Sequence, residues 1–313
     1  MPFTAKSGKF NASINVVEFG TGDKAVKIGG ENVFPLYSFD AAIENAPKVG
    51  IEITDFGMEH EPECIKKYYE GCATLADMAR KAASMEGVDF LSFRMEGGDP
   101  NGVNKSTEEL IGELKEIADA VDLPLVVCGC KNVEKDAELF SKAAEALNGK
   151  NAVILSAKEE NYKTVGAAAG LAYKQIVGAE SAVDINLAKQ LNVLISQLGV
   201  DSKSVVMNVG TAAVGYGFEY VISTMDRVKA AALQQGDANL QMPIITPVAS
   251  EAWGVKEAMA SETDAPEWGS QEERGIDMEV ETAMAVIAAG SNAVILKHPE
   301  SIKIISGLMK ELV

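Results

Sequence analysis

The 313-residue sequence holds only four cysteines, two histidines and two tryptophans, and its 28 lysines and arginines are outnumbered by 46 aspartates and glutamates. Each scarcity closes off a class of function. The formal charge of −18 argues against nucleic acid and against anionic membrane surfaces, whose phosphates would be repelled rather than neutralised. No apolar run approaches the roughly 20 residues that cross a bilayer. The opening MPFTAKSGKF lacks the apolar stretch of a signal peptide, so a cytoplasmic location is expected. Cys64 and Cys72 fall on one expected helix, Cys128 and Cys130 on one expected strand, and neither pair has C-x-x-C spacing. A zinc or iron–sulfur site needs several thiolates converging on one point, so no metal site is expected and the cysteines read as small buried hydrophobes. His60 and His298 lack a matching nucleophile at an elbow, which leaves no triad. No phosphate-binding G-x-x-x-x-G-K-[ST] and no dinucleotide fingerprint occur, and no catalytic residue is assigned.

What the sequence does contain is a repeated unit: a short β-branched run, a loop rich in Gly, Asn, Asp and Glu, then an amphipathic helix. Eight candidate strands stand at 50–56, 89–96, 124–130, 151–157, 174–179, 204–210, 243–249 and 292–298, with helical patterns in every interval. Alternation of this kind implies a parallel sheet with crossover helices. Eight such units make a closed (β/α)8 TIM barrel of the α/β class, whose chemistry belongs on the loops after the strands. The apolar fraction of 47% and charged fraction of 24% are those of an ordinary globular protein. Ahead of the first barrel strand, segments 10–17, 24–29 and 32–39 alternate between turn residues and read as a β-hairpin or a pair of hairpins. The expected organisation is an N-terminal β extension over 1–48 and a barrel over 49–313. Such an extension can plug the barrel's N-terminal mouth or form an interaction surface, and periodicity does not choose between them.

Helix starts are marked by Ser106-Thr107-Glu108-Glu109, where acids favour the dipole, and by Pro299-Glu300. The connection over 250–274 is exceptionally long and holds both tryptophans, Trp253 and Trp268, among acids. Aromatic anchors ringed by polar groups suit protein interfaces, so these two are candidate partner-docking residues. At the strand ends, Gly97, Gly98 and Asn101 lie in Glu96-Gly97-Gly98-Asp99-Pro100-Asn101, Cys128 ends the third strand, and Asn208, Thr211 and Gly215 follow the sixth. These seven are the candidate ligand-facing residues, chosen for their placement after strands two to six. Gly-Gly-Asp-Pro is equally a good turn, and the small residues 210–217 equally suit helix–strand packing. Asp55, Glu96 and Glu159 could serve acid–base work, but they sit on different loops and sequence does not pair them.

The ordered segments GIEITDFGMEHEPE, DFLSFRMEGGDPNG, LPLVVCGCKNVEKDAEL, NAVILSAKEENY, MNVGTAAVGYGFEY, MPIITPVASEAWGVKEA and SNAVILKHPES resemble the small subunit of the corrinoid iron–sulfur protein of acetogenic bacteria, over essentially the whole chain. The resemblance implies a barrel related to pterin-dependent methyltransferases, paired as a heterodimer with a large subunit that carries the iron–sulfur cluster and a corrinoid (cobalamin) domain. The corrinoid would lie between that domain and the barrel mouth, carrying a methyl group from methyltetrahydrofolate, through its methyltransferase, to acetyl-CoA synthase/CO dehydrogenase. A reductive activator would be a further partner. The chain has no D-x-H-x-x-G cobalamin motif, which suits a subunit that covers a cofactor anchored elsewhere. Two other classes stay open: a methyltransferase that binds methyltetrahydrofolate or tetrahydrosarcinapterin itself, and an aldolase-like barrel with a Schiff-base lysine at Lys158 or Lys297.

Overall fold

The computed structural model describes residues 8–313. Two short antiparallel strands, β1 (Val17–Phe19) and β2 (Val26–Ile28), form a hairpin with Val17 opposite Ile28 and Phe19 opposite Val26. Eight parallel strands follow: β3 (Lys48–Thr54), β4 (Phe90–Arg94), β5 (Leu125–Cys128), β6 (Val153–Ala157), β7 (Ile176–Glu180), β8 (Val205–Asn208), β9 (Ile244–Pro247) and β10 (Ser291–Leu296). They pair in sequence order, and β10 closes onto β3. All eight expected strands are therefore present and the chain is a (β/α)8 barrel. The intervening helices are α1 (Glu63–Lys66), α2 (Leu75–Ala83), α3 (Thr107–Ala120), α4 (Val133–Ala146), α5 (Tyr162–Val165), α6 (Ile185–Gln197), α7 (Phe218–Leu233), α8 (Ala249–Ala252), α9 (Lys256–Met259), α10 (Gln271–Ala289) and α11 (Pro299–Leu312). Among the described residues no helix is long and apolar enough to cross a membrane.

The expected helix starts hold. Ser106 accepts from the Glu109 N–H, and His298 caps α11 through Nδ1, with Pro299 at the first helical position where its missing N–H costs nothing. Three expectations are corrected. Of the N-terminal segments only the central part forms strands: 10–15 holds a bend and is tied by isolated backbone bonds of Ile14 with Glu31 and Gly30, and 32–39 is a chain of bends and turns. Cys64 and Cys72 do not share a helix, since α1 ends at Lys66 and a 3-10 turn, Lys67–Tyr69, intervenes. Cys130 lies beyond β5, which stops at Cys128.

Two apolar clusters form the core. One lies between strands and helices. The other fills the barrel and joins Phe90, Val126, Val153, Ile176, Val206 and Ile295 to the hairpin residues Val17, Phe19, Val26 and Ile28. The hairpin is thus the plug of the N-terminal mouth, with Phe19 edge-on to Phe90 at 5.5 Å between centroids. Gly50 must be glycine here, because a Cβ at that position would strike the Phe90 ring. A buried polar knot ties the extension down. Lys229 Nζ donates to Glu31 at 2.8 Å and Asn292 at 2.9 Å, and Asn292 Nδ2 donates to the same Glu31 oxygen at 2.8 Å.

Candidate functional site

Strand alternation sends every second side chain inward, and near the C-terminal ends those inward positions change from apolar to polar. Phe90, Ser92 and Arg94 line one strand's inner face, Gly50 and Glu52 its neighbour's, and Ile176, Gly178 and Glu180 that of β7. The mouth therefore has a charged floor over an apolar barrel. Two cavities open from it. The first, about 300 Å³, is lined by Cys128, Ser156, Lys158, Glu180, Asn208 and Thr211, among others; the second, about 270 Å³, by Glu52, Phe56, Glu61, Glu96, Trp253 and Lys297, among others. Arg94 and Ser250 border both.

In the first cavity Asn208 Nδ2 donates to Ser156 Oγ at 3.1 Å, and its Oδ1 accepts from the Gly210 N–H at 3.0 Å. Lys158 lies 3.3 Å from Glu180. The Thr211 hydroxyl is buried with no hydrogen-bond partner among the described residues. Asp136 accepts from the Cys130 N–H at 2.7 Å and from its thiol at 3.2 Å. Burial pushes the Asp136 carboxyl above the usual range, against the opposing Cys130 N–H. Burial also pushes the Cys128 thiol up to about 11 and that of Cys130 to about 12, so both stay protonated near neutral pH. One wall is strained: Ala182 and Val183 hold φ of 44° and 59°, a region costly for a β-branched residue.

In the second cavity Arg94 Nε and Nη2 donate to Glu52 Oε2 at 3.0 and 2.8 Å. Lys297 Nζ lies 2.7 Å from Glu61. Burial opposes the Lys297 charge, but Glu61 and Glu52 outweigh it and hold the ammonium above its ordinary range, which is the wrong state for a Schiff-base nucleophile. His298 is fully buried beneath the rim, stacked on Trp253 at 5.8 Å and edge-on to Tyr68 at 5.3 Å. Burial lowers its pKa to about 4, against the raising influence of Glu272, whose carboxylate lies 3.4 Å from Nε2. Because the folded value lies below the unfolded one, the neutral imidazole's contribution is complete above about pH 6.5 and lost as pH falls toward 4. Relative to His298→Asn, which keeps the helix cap, the wild type should lose on the order of 3 kcal/mol between pH 7.5 and pH 4. Urea titrations of both proteins measure this, and taking the difference removes the contribution of groups common to both, such as Glu279, whose carboxyl burial shifts up.

The candidate residues divide. Cys128, Asn208 and Thr211 line the first cavity. Gly97 and Gly98 do not reach it. The Gly97 N–H donates to the Asp55 carboxylate at 3.0 Å, and Gly98 is packed beneath Leu110 and Leu139, so their missing side chains serve close packing. Asn101 is exposed in a turn closed by its N–H to Asp99 at 2.9 Å. Gly215 borders a separate open groove beside α7. Trp253 is only 5% exposed and lies against Gly275, where no side chain stands in its way, so its indole is part of the barrel rather than a docking face. Trp268 is 39% exposed, with Lys256 and Arg274 over its ring. Of the acids named from sequence, Asp55 is buried under Lys105 at 3.1 Å, Glu96 borders the second cavity and Glu159 is solvent-exposed. Sequence reasoning missed Glu52, Arg94 and Glu180 as site residues. The available signal was a charge at an inward position near the end of each strand. Among the described residues no three His, Cys, Asp or Glu side chains group as a metal site.

Solved structures share the architecture. Dihydropteroate synthase from Xanthomonas albilineans superposes with a TM-score of 0.54 at 13% identity, over 85% of this chain and 94% of that one. The Thermus thermophilus enzyme matches with a TM-score of 0.54 at 13% identity over 95% of this chain. At that identity the likeness concerns the fold alone. Sequence relatives are more specific. The acetyl-CoA decarbonylase/synthase complex subunit delta 1 of Methanosarcina thermophila is 30% identical over 300 residues, covering 94% of this chain and 67% of the relative. The subunit delta of Methanothermobacter thermautotrophicus is 32% identical over 292 residues, covering 92% and 73%. That of Methanocaldococcus jannaschii is 30% identical over 312 residues, covering 97% and 75%, so the chain spans two-thirds to three-quarters of these relatives. The profile described as CO dehydrogenase/acetyl-CoA synthase delta subunit matches residues 16–309, and the chain belongs to that family.

Proposed function

We propose that this protein is the small subunit of a heterodimeric corrinoid iron–sulfur protein in the acetyl-CoA pathway, its barrel mouth covering a corrinoid held by the large subunit. One observation carries the reading: the first cavity presents the Asn208 amide and the Ser156 and Thr211 hydroxyls, the last of them unpartnered, beside the exposed apolar side chain of Val183. Val103, Val183, Tyr216, Met259 and Trp268 stand on the connections after the strands. A corrin ring is apolar on its faces and bears carboxamide arms at its edge, so this donor set fits it. Asn208, Ser156 and Thr211 would hold arms, and Val183 would meet the ring. When bound, the corrinoid supplies a cobalt centre that accepts and passes on a methyl group. This chain's part is to exclude water from that centre while staying displaceable. Its protonated thiols are unsuited to ligate cobalt, and His298 is fully buried with Nδ1 accepting from the Glu300 N–H, so it is not presented to the mouth. In this reading the iron–sulfur cluster belongs to the large subunit, and the methyltransferase, acetyl-CoA synthase/CO dehydrogenase and a reductive activator meet the complex in turn, with Trp268 as a docking contact.

The test is corrinoid retention by the co-expressed heterodimer, read from its visible spectrum. Asn208→Leu with Thr211→Val removes two hydrogen-bonding groups and should weaken retention about tenfold with the fold unchanged by circular dichroism. Retention equal to wild type in a folded variant overturns the assignment of the mouth. The second reading, a pterin-dependent methyltransferase acting on a corrinoid protein, is favoured by Asp136 and Glu180 beside Asn208, which could face a ring N–H edge. Calorimetric binding of methyltetrahydrofolate to the isolated chain would select it.

A further inference from the structure

Lys131 and Glu251 are joined across the open end of the barrel. Lys131 follows β5 and Glu251 lies on α8 after β9, and these strands stand four apart in either direction around the closed barrel, so they face each other across its axis. Nζ of Lys131 lies 3.1 Å from Oε1 of Glu251, and both side chains line the first cavity. Their main chains are pinned. A Cβ at Gly129 would strike Asp136, the Cys130 N–H donates to that carboxylate at 2.7 Å, and Asn132 caps α4 by accepting from the Lys135 N–H at 3.0 Å. On the opposite side Ala249 and Ala252 are fully buried and Trp253 lies against Gly275. The side chains are free to move: Lys131 is 64% exposed and Glu251 35%, and among the described residues neither side chain has another hydrogen-bond or ion-pair partner. Lys131 also holds φ of 70°, a left-handed conformation that is uncommon for a residue with a Cβ. That strain sits at the residue whose side chain crosses the mouth.

We propose that the Lys131–Glu251 pair is a gate bar over the first cavity. Closed, it divides the opening so that only narrow groups pass beside it; it opens by rotation of the Lys131 side chain, with no movement of the loops, and then admits a group as broad as an aromatic ring. An exposed ion pair favours its closed form by no more than about fivefold, so the bar yields to salt and to an arriving ligand. The gate rests on the corrinoid reading only for the identity of what enters; the crossing itself is a property of this chain.

The test uses the full chain, with the Cys128 thiol, which lines the cavity at 2% exposed, as reporter. N-methylmaleimide and N-phenylmaleimide add to a thiolate by the same reaction and differ in breadth, so the ratio of their rates cancels any change in the thiol's own ionisation. Cys130, buried beside Asp136 and outside the cavity lining, reports general loosening of the fold. Mass spectrometry of digests locates each adduct. Removing the bar by Glu251→Gln, or by Lys131→Gly, which also relieves the left-handed backbone, should raise the phenyl-to-methyl ratio at Cys128 about three- to fivefold and leave Cys130 as in the wild type. Raising salt from about 0.05 to about 0.5 M should produce the same rise in the wild type and none in the variants. An unchanged ratio at Cys128 in both variants, a parallel rise at Cys130, or no adduct at Cys128 in any of the three proteins overturns the gate. Corrinoid retention by the heterodimer, measured in parallel, separates the two readings. A gated Cys128 without retention removes only the corrinoid cover, and retention with an ungated Cys128 removes only the gate.

Discussion

Glu31→Leu should cost the protein about 3–5 kcal/mol in urea denaturation, because it strands the Lys229 ammonium inside the fold. Lys229 is 1% exposed and Glu31 7%, and the ammonium's other partner among the described residues, the Asn292 amide oxygen, is already shared with the Ile244 N–H. A charge so placed cannot rehydrate without breaking the N-terminal face open. Adding Lys229→Met should recover much of the loss, since replacing both members of a buried pair by apolar groups is far less costly than removing one. The exposed pair Lys27–Glu18, at 58% and 49%, supplies the contrast: its removal should change stability by less than about 1 kcal/mol. A Glu31→Leu loss no larger than that of the surface pair would mean that water reaches Lys229.

Phe19→Ala should be comparably damaging, at about 3–5 kcal/mol, and its effect should spread into the barrel. The ring is fully buried against Phe90, which itself occupies the space left by Gly50, so the cavity created has rigid walls on the barrel side. Hydrogen exchange should accelerate at the hairpin and at β3 and β4 together. Thermal melting within a few degrees of wild type, with exchange faster only in the hairpin, would show that the plug is a loose cap.

Both expectations concern a feature that the sequence left open. Segments 10–17, 24–29 and 32–39 all alternate, and nothing local distinguishes the part that pairs from the parts that turn. Strands of three residues carry too little pattern, and what selects Val17–Phe19 and Val26–Ile28 is the apolar barrel end that receives them. The tryptophans teach the same lesson. Trp253 and Trp268 share one acidic connection, yet the first stacks on His298 and the second faces solvent. Their difference arises from Gly275, a residue on a later helix that leaves room for one indole.

Among the strand-end candidates, Cys128, Asn208 and Thr211 reach the cavity because they stand at or just past inward positions of β5 and β8. Gly97 and Gly98 were attractive as places where a ligand could approach, but Asp55 and Leu139 already occupy that approach.

The sequence by itself determined eight strand–helix units. β-branched runs separated by capped amphipathic helices imply a parallel sheet covered on both faces, and that periodicity is local enough to be read without coordinates, whereas closure into a barrel is the pairing of β10 with β3. Tertiary structure alone decided which mouth is plugged, which tryptophan is free and which charges share the floor of the open end. Glu52 and Arg94 are 42 residues apart and meet only because β3 and β4 are neighbours in register and both side chains point inward. Such pairings depend on barrel closure and on the space that distant side chains leave, quantities that no window of sequence contains.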